Sequence, residues 1–129
     1  MSSEQQGVKV TTAVNPGGAD EVLAPLDRIV RVRAAVGSWD GVRTEEHRVG
    51  GVAFRAGRRE LGHLHTSIAD LPLPRRVRDA LIAAGRVRPH HVVPDSGWVT
   101  APMRTAGEVE RVIELFRWNY ERAWPSFDR

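Results

Sequence analysis

Gly50-Gly51-Val52-Ala53-Phe54-Arg55-Ala56-Gly57-Arg58-Arg59-Glu60-Leu61-Gly62-His63-Leu64-His65 reads as two β-strands with their turns. Glycines punctuate the stretch at intervals too short for a helix, and they supply the backbone freedom that tight connections need. Val52 to Arg55 is the first of the two strands, Ala56-Gly57-Arg58 the turn, and Glu60 to His65 the second. Upstream, Arg43 to Val49 makes a polar strand that Gly50-Gly51 joins to Val52, so the three form an antiparallel meander. Side chains alternate along a strand, so His63 and His65 share one face and Glu60 points to the other. A β-bulge at Gly62 would change that, because a bulge re-aims the side chains around it. Glycine inside a strand also marks close approach of a backbone or a ligand.

Downstream, Ile68, Leu71 and Leu73 suggest a fourth strand, expected at a sheet edge because Pro72 cannot donate to a ladder. Pro74 opens a helix with Val77, Leu81 and Ala84 as its buried stripe and Ala80 beside them, and Gly85 closes it. Arg86 to Ser96 is expected to be a loop, and Gly97 to Ala101 a strand. The last helix starts at a capping box, Thr105 with Glu108, and carries Val109, Val112, Ile113, Phe116 and Tyr120 on one face until Pro125 stops it. Ahead of the meander, a helix begins or kinks at Pro25, its apolar positions being Val22, Leu26, Ile29 and Val30 with Arg33, and Gly37 and Asp40-Gly41 end it. The pattern specifies a single α+β domain over residues 19–125: an antiparallel sheet of four to five strands with three helices packed mainly on one face. Residues 1–18, rich in Ser, Gln, Thr and Gly, have the composition of a disordered tail, and 126–129 form a short C-terminal tail.

The chain has 129 residues and no cysteine, so disulfides and thiolate metal sites are excluded. No apolar run approaches the roughly 18 residues of a membrane helix, and Met1 to Gly7 lacks the apolar core of a secretion signal. A cytoplasmic location without membrane association is the expectation. The formal charge is +3, and Lys9 is the sole lysine. The arginines are dispersed among acids. The densest group, Arg75, Arg76 and Arg78 with Arg86 and Arg88, fits a solvated helix face better than a nucleic-acid surface.

Chemistry concentrates in the histidines. If the second helix packs on the sheet, the loop after it, which carries His90 and His91, can return to the sheet's edge and bring His90 near His63. His63, His65 and His90 could then hold Zn²⁺, Fe²⁺ or Cu²⁺, or act as base and hydrogen-bond donors on an organic ligand. The alternative is a satisfied strand histidine and solvent-facing loop histidines. Trp98, His91, Asp95 and Phe54 complete the candidate set as substrate contacts, although Asp95 also suits a turn and Trp98 a core position. No phosphate-cradling glycine loop, nucleophile elbow or dinucleotide fingerprint is present.

From about Val42 to Tyr120 the sequence resembles the luciferase-domain family, which consists largely of short bacterial proteins of unknown function and includes the fungal luciferases. The resemblance rests on Gly50-Gly51-Val52-Ala53-Phe54-Arg55, Arg59-Glu60-Leu61-Gly62-His63-Leu64-His65, Leu71-Pro72-Leu73-Pro74, Pro89-His90-His91, Pro94-Asp95-Ser96-Gly97-Trp98-Val99 and the closing helix. Toward the fungal luciferases it narrows to Glu60, His63, His65, His90 and Trp98. The resemblance implies oxygenation of a hydroxylated α-pyrone-like molecule by O₂ without flavin or nicotinamide, with a divalent metal left open. It implies His63 as general base, His65 and His90 orienting substrate or stabilising its anion, and Glu60 holding an imidazole tautomer. A small-molecule enzyme is therefore the leading expectation. A non-catalytic binding module and a histidine metal-binding protein are the alternatives.

Overall fold

A computed structural model describes residues 18–47 and 51–127. In chain order the elements are α1 (Pro25–Gly37), β1 (Val42–His47), β2 (Gly51–Ala56), β3 (Arg59–Leu64), β4 (Ile68–Pro72), α2 (Arg75–Ala83), β5 (Arg88–Pro89), β6 (Trp98–Pro102) and α3 (Ala106–Phe127). The strands make one antiparallel sheet in the order β1-β2-β3-β4-β6-β5. The α+β architecture is as expected, with six strands rather than four to five. The extra one is β5, a two-residue strand inside the stretch read as a loop. The expected N-terminal tail, apart from Gly18, and the Gly50 half of the glycine turn lie outside the described residues.

The last helix is placed by its sequence. Thr105 Oγ1 accepts from the Glu108 backbone N–H at 3.1 Å, and Glu108 Oε1 accepts from the Thr105 N–H at 3.2 Å, which satisfies donors that the first turn leaves without partners. Val109, Val112, Phe116, Tyr120 and Ala123 follow as one buried stripe. That stripe lies on the inner sheet face, where Phe116 meets Phe54 edge to face at 5.3 Å between ring centroids. Asn119, 2% exposed, donates to the carbonyls of Leu61 (3.1 Å) and Pro72 (2.8 Å) and so ties α3 to β3 and β4. The helix runs past Pro125 to Phe127. A proline so near the end removes one hydrogen bond from the last turns, and two more residues remain helical beyond it.

Three other expectations are corrected. Helix α1 begins at Pro25 without a kink, but it buries Arg28, Val32 and Val36, while Val22, Leu26 and Val30 are exposed. Arg28 sets this rotation. Its Nε donates to Leu23 O at 2.8 Å and Nη1 to Thr66 O at 3.1 Å, so its stem packs inward while its head group bonds two backbone carbonyls. In α2 no residue is fully buried. Val77, Leu81 and Ile82 pack partly against the core, and Ala80 and Ala84 face solvent. Strand β4 is interior rather than an edge, flanked by β3 and β6. Its proline is harmless there because Pro72 is the final residue of the strand.

An imidazole–carboxylate centre on the outer sheet face

The site begins with an irregularity in β3. Phe54 pairs with Gly62 and Arg55 with Glu60, which leaves Leu61 without a partner across the ladder. This is a bulge, and it rotates Glu60 onto the face of His63. Glu60 Oε2 lies 2.9 Å from His63 Nδ1, so the separation expected of a regular strand does not hold. Gly62 makes the bulge fit. Its φ is 149°, and a Cβ there would stand 2.7 Å from the Asp70 carbonyl oxygen and 2.8 Å from Phe116 Cε1. The missing side chain lets α3 close over the inner face. His63, the next residue, points the opposite way, so the site does not lie between the sheet and its helices.

Cross-strand register continues the row. His63 pairs with Asp70, and Asp70 with Thr100. Asp70 and Thr100 are completely buried. The Thr100 hydroxyl donates to Asp70 Oδ1 at 2.7 Å, which turns Oδ2 outward. Four imidazole Nε2 atoms converge on that one oxygen: His91 at 3.2 Å, His63 at 3.3 Å, His90 at 3.7 Å and His65 at 3.8 Å. Among the described residues, Asp70 forms ion pairs with imidazoles alone. The Trp98 ring walls the group, 5.4 Å from His63 and 6.3 Å from His90 between centroids. His91 stacks on His90 at 4.6 Å.

The loop after α2 thus brings His90 to the oxygen that His63 faces, as expected from the sequence, and it brings His91 there as well. His90 is oriented by its own loop: Nδ1 accepts the backbone N–H groups of Val92 and Val93, each at 3.1 Å. Two candidates fall elsewhere. Phe54 is fully buried against α3 on the inner face, because a large apolar side chain on a two-faced strand goes to the packed side. Asp95 is exposed on the loop before Trp98. The centre of the site, Asp70, was not singled out from the sequence, nor was Thr100. A usable signal existed: Asp70 is the one acid in the apolar run Ile68 to Leu73, and acids rarely enter such strands unless paired.

Burial works against charge on His63, but hydrogen bonds to Asp70 and Glu60 and the charges of both carboxylates overcome it and raise its pKa from 6.5 to about 9. Burial likewise works to raise Asp70, yet hydrogen bonds from His63, Thr100 and His91 and the charge of His90 hold it well below the usual carboxylate range. The raised pKa favours the protonated form of His63, the residue expected as a base. A raised imidazole pKa contributes stability that is full below the unfolded value of 6.5 and is lost as pH rises toward about 9. A depressed carboxyl pKa contributes stability that is lost as pH falls below its ordinary 3.8. Thermal melts in chelator-containing buffer should thus show the pair's contribution greatest between those two ordinary values and declining toward pH 9. The decline should be shallower in His63→Gln. Equal slopes in the two proteins would contradict the assignment.

The row of a bulged β3, a buried β4 carboxylate and a histidine-bearing loop defines an α+β domain with an imidazole–carboxylate centre on the sheet face opposite α3. Residues 58–119 match the family model described as Luciferase domain, and that segment contains every group of the centre. No curated protein and no solved structure gives a significant match. No described helix is long and apolar enough to cross a membrane.

Proposed function

We propose that the protein is an enzyme acting on a small aromatic, pyrone or polyketide-like molecule, whose acidic hydroxyl it takes up as an anion at the imidazole–carboxylate centre, with O₂ as co-substrate. One observation carries this reading: four imidazoles gathered over one buried carboxylate, on the sheet face opposite α3. Building such a group costs burial of charge, and a plain sheet face has no need of it. Trp98 supplies a flat apolar wall for a ring. His63, held between Glu60 and Asp70, and His90, whose Nδ1 is occupied so that Nε2 carries the proton toward the site, both suit stabilising an enolate or phenolate. His65, with 30% of its side chain exposed, stands at the rim as the candidate proton acceptor. The luciferase-domain match and its resemblance to fungal luciferases support oxygenation as the reaction class.

The test is oxygen consumption and product formation over a panel of hydroxylated pyrones and phenols. His63→Ala should lower turnover by about 10²-fold or more, the scale of losing one acid–base group, with circular dichroism unchanged. Ligand-induced stabilisation without any product would make the domain a binding module instead.

A further inference from the structure

We propose that His63 Nε2, Asp70 Oδ2 and His90 Nε2 form a binding site for one divalent transition-metal ion. The inference rests on the reading that this centre is the working site, and it names the cofactor. The three ligand atoms all lie within 4.8 Å of one another. Two spacings are informative. His63 and His90 stand 3.3 and 3.7 Å from Asp70 Oδ2, beyond the roughly 2.7–3.2 Å of a good N–H···O bond. Ligands bonded to a common ion at about 2.0–2.2 Å sit roughly 3–3.6 Å apart, and a small inward adjustment of His90 brings both into that range.

The surrounding contacts prepare two of the three atoms. Glu60 takes the Nδ1 side of His63, which leaves the Nε2 lone pair for the ion; a carboxylate behind a ligating imidazole is the usual support of such a ligand. Thr100 occupies Asp70 Oδ1, so Oδ2 alone is presented. His90 has a cost. Ligation at Nε2 moves its proton to Nδ1 and displaces the N–H groups of Val92 and Val93. Both residues are exposed, so water can replace the lost acceptor. Two imidazoles and one carboxylate suit Fe²⁺, Co²⁺ or Zn²⁺ and are poor for Mg²⁺ or Ca²⁺. Three protein ligands leave positions open, bordered by His65 and His91.

The experiment titrates Co²⁺ into the chelator-treated full chain and follows both visible absorption and heat, with Mg²⁺ as the control ion. One equivalent should bind with a ligand-field spectrum, and Mg²⁺ in excess should not displace it. His63→Ala and His90→Ala should each weaken binding at least tenfold. Glu60→Gln should weaken it about 10–100-fold through loss of the supporting carboxylate. Circular dichroism checks each fold; His90 lies on a loop, so its variant carries the test if His63→Ala does not fold. No Co²⁺ binding, several weak equivalents, or affinity unchanged in His90→Ala would overturn the inference. Turnover by protein that binds no Co²⁺ would sink the metal and leave the enzyme reading standing. Stoichiometric Co²⁺ binding with no turnover of any compound would do the reverse.

Discussion

Gly62→Ala should destabilise the protein by about 3 kcal/mol or more, from overpacking added to backbone strain. The new methyl would sit 2.7 Å from the Asp70 carbonyl oxygen, 2.8 Å from Phe116 Cε1 and 3.1 Å from Leu71 Cγ, at a φ of 149° that a side chain disfavours. The carbonyl belongs to the neighbouring strand and the ring to the closing helix, so neither can yield without opening the sheet–helix packing. The same glycine makes the bulge that turns Glu60 toward His63. A variant that still folds should therefore show altered metal affinity or turnover as well. Urea unfolding measures the effect, and a change within about 0.5 kcal/mol would mean that β3 can relax around the methyl.

The second large effect is expected at Asp70. Asp70→Ala removes the common partner of four imidazoles and leaves the Thr100 hydroxyl without its acceptor, at full burial. Removing one member of a buried charged pair costs about 3–5 kcal/mol. Asp70→Asn keeps the shape and an acceptor for Thr100, so it should lose less stability. It removes the negative charge that assembles the imidazoles, and turnover should still fall by about 10²-fold or more. Asp70→Asn with full turnover would reduce Asp70 to a structural role.

How far the sequence disclosed this site follows from which interactions are local. The Thr105–Glu108 box and the apolar stripe of α3 act within a few residues, so helix start and buried face could both be inferred. The meander was legible for the same reason, because turn chemistry is local. The rotation of α1 was not, because Arg28 is buried through the carbonyl of Thr66, 38 residues away, and arginine ordinarily marks an outer face. The interior place of β4 depends on pairing with β6, which lies beyond a helix and a loop. In the site, spacing put His63 with His65, and the loop could be expected to return His90. The pairing of Asp70 with His63 and Thr100 is a matter of register across three strands, which a single sequence does not display. Glu60 was legible only conditionally, since its direction turns on one unpaired residue, Leu61.

A rival location for ligand chemistry exists on the helix side: a cleft lined by Trp39, Asp40, Arg117, Tyr120 and Glu121. It has aromatic walls, with the Arg117 guanidinium 5.1 Å from the Trp39 ring centroid and 5.3 Å from that of Tyr120. It holds none of the imidazoles. The most direct test of the account is therefore a two-dimensional amide NMR map of the full chain with a pyrone or phenol that it turns over or binds. The account predicts that shifts concentrate on residues 60–65, 70 and 90–100 and vanish from them in His63→Ala. Shifts centred on Trp39, Arg117 and Tyr120, with the histidine region unmoved, would contradict it.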